Sequence, residues 1–108
     1  MTPERDYIRL LLEDLRTEMR RQGCWSEQPP PADSLSSSEP FCVDTLRLEQ
    51  WLQYVFIGRL EAVLDRQAPL PERCDIMPYA EEQLRHCENP AALLRILGKL
   101  DIMVTRAV

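Results

Sequence analysis

Apolar residues recur at helical spacing over the first twenty positions. Tyr7, Ile8, Leu11, Leu12, Leu15 and Met19 fall into one arc of a helical wheel, about 140° wide, and charged residues fill nearly all the rest. A helix patterned this way buries one side against a bundle. Thr2-Pro3 supplies a cap and first-turn pair, and Gly23 suits the position just past the C-terminus. The next pattern predicts a helix from about Leu46 to Gln67, capped by Asp44 or Thr45. Its apolar residues (Leu48, Trp51, Leu52, Val55, Phe56, Ile57, Leu60, Val63 and Leu64) cover well over half the circumference, which puts it in the middle of the fold.

Pro69-Leu70-Pro71 ends that helix and leads through Cys74 and Ile76 to Pro78. Proline fits the first position of a short helix, here Tyr79 to about Cys87, with Ala80, Leu84 and Cys87 as its apolar stripe. Asn89-Pro90 then opens a last helix whose inner face is Leu93, Ile96, Leu97, Leu100 and Val104, with Thr105 to Val108 expected to fray. No segment alternates with the period of a half-buried strand. The expected architecture is all-α: a four-helix bundle forming a single domain over 1–108, with a long Pro/Ser-rich loop (24–43) crossing between helices 1 and 2. Trp25 and Phe41 bracket that loop and are expected to pin it onto the helices, since two large rings left in water forfeit a few kcal/mol.

Charge narrows the function classes. The net charge is -5, and basic residues are interleaved with acids along every segment, so direct nucleic-acid binding is disfavoured. The alternative is a small RNA-contacting patch around Arg16, Arg20 and Arg21. The start of the chain is charged and lacks an apolar signal region, and no apolar run approaches the ~20 residues that span a bilayer. The expectation is a cytoplasmic protein without a membrane partner, its four cysteines free thiols.

Catalytic and cofactor signatures are missing from the sequence. Gly23, Gly58 and Gly98 stand alone, so no glycine-rich phosphate loop exists. No paired cysteine spacing offers a metal site, and on a helix His86 and Cys87 diverge by about 100°. Adjacent acids such as Glu13-Asp14 and Glu81-Glu82 diverge likewise. The reading is a non-enzyme with no cofactor and no metal.

Two sets of residues stand out. Arg59 falls near the centre of the second helix's apolar arc, where a lone charge costs several kcal/mol. A buried pair with Asp101 of the last helix is the first expectation, Glu49 the second partner; the alternative is Arg59 reaching solvent along its alkyl stem. Tyr54 lies on the polar side of the second helix and Gln53 intrudes on its apolar side. With Gln50 and Tyr79 they form a candidate partner surface.

The stretch Pro40-Phe41-Cys42-Val43-Asp44-Thr45-Leu46, then Trp51-Leu52-Gln53-Tyr54-Val55-Phe56-Ile57 and Arg59-Leu60, resembles the signature of the YqcC-like proteins, continued by Pro69-Leu70-Pro71, Ile76 and Pro78-Tyr79. The resemblance implies a small bacterial helical bundle with no assigned activity. Genes of that family often lie beside one for a tRNA pseudouridine synthase of the C type, which implies an accessory role in tRNA modification. The sequence departs from the family at Arg47-Leu48-Glu49-Gln50, where Glu-Pro-Leu-Glu is expected, and at Gly58, where proline is usual. The functional expectation is a protein-interaction module with that synthase as candidate partner; a second copy of the chain is another candidate. The alternative is a small-ligand binder with a pocket under the 24–43 loop.

Overall fold

The structure, a computed structural model, describes residues 3–70 and 76–107. The Thr2 cap, Pro71, Cys74 and Val108 lie outside the described residues. Among the described residues, four helices make the fold: α1 (Pro3–Arg21), α2 (residues 48–65), α3 (Met77–Gln83) and α4 (Pro90–Ala107). No strand occurs among the described residues. α1 packs chiefly on α4, and α2 and α3 close the core around them.

α1 follows its pattern. Ile8, Leu11, Leu12, Leu15 and Met19 are buried, while Tyr7, at the edge of the arc, is exposed. At its end Gly23 takes φ 75°, the Gly23 N–H donates to the Arg20 carbonyl at 3.1 Å, and the Cys24 N–H donates to the Met19 carbonyl at 2.8 Å. These are the paired bonds of a glycine-terminated helix, and they satisfy carbonyls the helix leaves open. They also fix the direction in which Cys24 leaves the helix.

α2 departs from a regular wheel. Leu48–Trp51 is α-helical, Leu52–Phe56 is a π-helical turn, and Ile57–Asp65 is α-helical again. The Ile57 N–H donates to the Leu52 carbonyl, five residues back. Such a turn inserts one residue and shifts the phase of everything downstream by about 100°. The apolar arc that looked too wide for one face is two narrower ones: Leu48 and Leu52 before the turn, Leu60 and Leu64 after it, with Phe56 and Ile57 between. Val55 joins Cys42 and Leu46 in a small separate cluster under the loop.

The shift overturns one expectation. Arg59 is exposed, so no buried Arg59–Asp101 pair forms; the wheel that centred Arg59 assumed an unbroken α-helix. Asp101 accepts hydrogen bonds from the backbone N–H groups of Ile76 (3.4 Å) and Met77 (3.2 Å) and so anchors the start of α3. A carboxylate there also complements the helix dipole.

The caps expected for α2 serve the loop instead. Asp44 accepts from the Ser37 hydroxyl, and the Thr45 hydroxyl donates to the Ser34 carbonyl at 2.6 Å. α2 starts later, where the Arg47 N–H donates to Gln50 Oε1 at 2.9 Å. The loop carries two short 3-10 turns, Ala32–Ser36 and Pro40–Cys42. Phe41 and Cys42 both adopt left-handed backbone (φ 56° and 51°), a costly geometry for residues with side chains. It turns the Phe41 ring onto Tyr79 (4.9 Å, stacked) and Trp51 (5.0 Å, edge-on), and Trp51 continues the series to Phe56. Trp25 lies under the Arg20 guanidinium, 4.9 Å from the ring centre. Both bracketing aromatics therefore pin the loop. The radius of gyration, 13.4 Å, is that of a bundle with its loop folded down, about 13 Å for a chain of this size. α4 runs on to Ala107, past the fraying expected from Thr105.

Candidate functional site

The four residues of the expected partner surface are largely occupied within the chain. The Gln53 amide pairs with the Ser26 backbone at both ends: Nε2 donates to the Ser26 carbonyl at 2.7 Å, and Oε1 accepts from its N–H at 2.8 Å. The Tyr54 hydroxyl donates to the same carbonyl at 3.1 Å. Gln50 caps α2, and Tyr79 is stacked on Phe41, with burial raising its phenol pKa. Tyr54 still reaches the surface, where it lines an open cleft of about 330 Å³ with Leu35, Val55, Gly58, Arg59 and Ala62.

The basic residues of the alternative RNA patch are also engaged. Arg16 forks onto Glu61 of α2 at 3.0 and 3.1 Å and pairs with Glu13. Arg20 covers Trp25, and Arg21 bonds Glu18, whose pKa is lowered chiefly by that bond and then by Gln22. Arg16 and Arg21 thus have acid partners within the chain, and Arg20 lies on an aromatic face.

A group that the sequence reading dismissed comes together at the opposite end of the loop. α3 stops at Gln83, and Leu84 leaves helical geometry (φ -104°, ψ 10°), so His86 and Cys87 lie in a turn. The 100° divergence of helical neighbours does not apply to them. Cys87 Sγ lies 3.3 Å from Cys24 Sγ and 4.0 Å from His86 Nε2. His86 Nε2–H donates to Glu49 Oε2 at 2.5 Å. Donor atoms of Glu49, His86 and Cys87 all lie within 4.8 Å of one another. The geometric ground for excluding a metal site is therefore gone.

Two glutamine clamps hold this cluster. Gln22 pairs with the Asn89 backbone as Gln53 does with Ser26, donating to its carbonyl at 2.9 Å and accepting from its N–H at 3.0 Å. One clamp ties the 87–89 turn to the end of α1, and the other ties the strand of loop after Cys24 to α2. Burial comes first, then the hydrogen bond with Cys24 and the Glu49 charge, in pushing the Cys87 thiol up to about 12. Glu49 Oε1 is buried without a hydrogen-bond partner among the described residues. Open clefts flank the cluster, one of about 400 Å³ along Gln83 and His86, the other of about 390 Å³ along Gly23 to Ser26; Arg47 and Glu49 line both. No spacing in the sequence marks these four residues. The available signals were Gly23, which aims Cys24, and Asn89-Pro90, which forces α3 to end before it.

Residues 7–103 match the family described as tRNA pseudouridine synthase C. An uncharacterised protein of Haemophilus influenzae is 37% identical over 97 residues, covering 90% of this chain and 92% of its own. The uncharacterised protein YqcC of Escherichia coli is 35% identical over 100 residues, 91% of each. The solution NMR structure of YqcC from E. coli superposes with a TM-score of 0.85 at 31% identity, covering 99% of this chain and 92% of that one. A protein of Pectobacterium carotovorum named tRNA pseudouridine synthase C is 39% identical over 66 residues, which is 61% of this chain and 18% of that protein.

Proposed function

The chain belongs to the YqcC-like family, and on that premise we propose that it is a non-enzymatic accessory module that binds a tRNA pseudouridine synthase of the C type in the cytoplasm. One observation carries the reading. A segment resembling this chain makes up a minor part of a much longer protein bearing that synthase's name, and a module held in one chain with its partner meets it at a high effective concentration.

The site chemistry favours a binding role over catalysis. Among the described residues, Cys87 beside His86 is the nearest approach to a nucleophile and base. An activated cysteine needs a lowered pKa, and Cys87 has a raised one, with the His86 Nε2–H directed at Glu49. No helix of the described residues is long and apolar enough to cross a membrane. The partner-facing surface is the cleft onto which Tyr54 opens, floored by Gly58 and Ala62 and edged by the exposed Leu35 and Arg59. Tyrosine and arginine around small apolar residues suit a protein contact. A ligand pocket under the loop has less in its favour, because Ser26, Gln53 and Tyr54 close the loop onto α2.

The test is size-exclusion chromatography of the purified protein mixed with the synthase of the same organism. Co-elution as one complex, lost in Gly58→Arg while the helical circular dichroism is kept, supports the proposal. Separate elution at micromolar concentrations of both proteins refutes it.

A further inference from the structure

We propose that Cys24, Glu49, His86 and Cys87 form a four-ligand site for a thiophilic divalent cation, zinc foremost. Their four donor atoms (two sulfurs, one imidazole nitrogen, one carboxylate oxygen) form the mixed set that tetrahedral zinc takes. Neighbouring pairs are 3.3 Å (Cys24–Cys87), 4.0 Å (Cys87–His86) and 2.5 Å (His86–Glu49) apart. Zinc bonds of about 2.0–2.3 Å separate tetrahedral donors by roughly 3.3–3.8 Å. Donor atoms of Glu49, His86 and Cys87 already lie within 4.8 Å of one another, and Cys24, beside Cys87 but outside that group, turns toward them to complete the shell. The Nε2 proton of His86 moves to Nδ1, and the two thiol protons leave to solvent as the metal binds.

The surroundings fit this assignment. The buried, unpartnered Glu49 Oε1 is an acceptor with nothing to accept from among the described residues, as expected of a carboxylate that turns toward a cation. The Glu49 side chain is only 13% exposed and Cys87 7%, whereas His86 at 57% stands at the mouth, so the site is shielded on one side and reachable on the other. Two thiolates and a carboxylate around a divalent ion leave one negative charge, and Arg47, lining both flanking clefts, is placed to offset it. The Gln22 and Gln53 clamps hold the backbone on either side of Cys24 and behind Cys87, which pre-forms the site. A metal here ties the end of α1, the start of α2 and the α3–α4 turn together, a structural role independent of the accessory reading.

Cobalt(II) titration of the reduced, full-length protein, followed by zinc competition, tests the assignment. One equivalent of cobalt is expected to give the intense visible bands of a tetrahedral site with sulfur charge transfer in the near ultraviolet, and zinc to abolish them. Cys24→Ser and the exposed His86→Gln should each weaken cobalt binding at least about tenfold. Zinc at about 100 times its Kd should raise the Tm of the parent protein by about 10 °C or more. The proposal is overturned if only the pale spectrum of octahedral cobalt appears, or if both variants bind as the parent does. It also fails if Cys24 and Cys87 close a disulfide in air while the reduced protein takes up no metal.

Discussion

Gln53 shows how one side chain can look like a binding residue and serve as a brace. Its amide sits where a wheel places an intrusion on the apolar face of α2, and the structure uses it to hold the Ser26 N–H and carbonyl. Gln53→Ala leaves both groups half-buried without those bonds, and should cost about 1–3 kcal/mol in urea denaturation, with faster amide exchange at Ser26. Tyr54→Phe removes one bond to the same carbonyl and should cost about 1 kcal/mol. Cys87 gives a pH-dependent counterpart. Its folded pKa, about 12, stands above the ordinary 9.0, so the native state keeps the proton more tightly than the unfolded chain. The stabilisation this confers is present below pH 9 and disappears as pH rises toward 12. In metal-free protein at pH 9, iodoacetamide should leave Cys87 unmodified over a time that alkylates it fully in denaturant, as peptide mass spectrometry would read; equal rates would contradict the raised pKa.

Helices differ in how far their sequences disclose them. α1 was legible almost residue by residue, because one uninterrupted period and a glycine stop describe it completely. α2 was legible in position and burial but not in phase: a π-helical turn has no pattern distinct from a wide apolar arc, and the inference about Arg59 failed on that turn. α3 ended one turn before its apolar stripe did, since Leu84 and Cys87 remain buried outside regular helix. That early stop is what brings His86 and Cys87 onto one side. Gly58, exposed in the helical part of α2 with nothing within 4 Å of where a side-chain methyl would stand, makes a direct probe. Gly58→Ala should raise stability by about 0.5–1 kcal/mol, and a loss instead would mean that α2 is not continuous there. Asp101→Asn, which weakens the anchor of α3, should lower stability by about 1 kcal/mol.

The bundle as a unit was foreseeable from helix periods and loop composition, and the likeness to YqcC bears it out. The contacts that give it a surface were not. Cys24 and Cys87 stand 63 positions apart, as do Arg5 and the Ala68 carbonyl it bonds, and long-range closures of this kind follow from packing alone. The accessory reading joins that packed form, with Tyr54, Leu35 and Gly58 around one open cleft, to the kinship with a synthase-named chain. Its most direct measurement is the rate of pseudouridine formation in tRNA by the synthase of the same organism, with and without the purified protein. A synthase rate or tRNA affinity that changes saturably with added protein, which forms no pseudouridine alone, is the predicted result. A synthase indifferent to the protein at saturating concentration, or pseudouridine formed by the protein without it, would contradict the account.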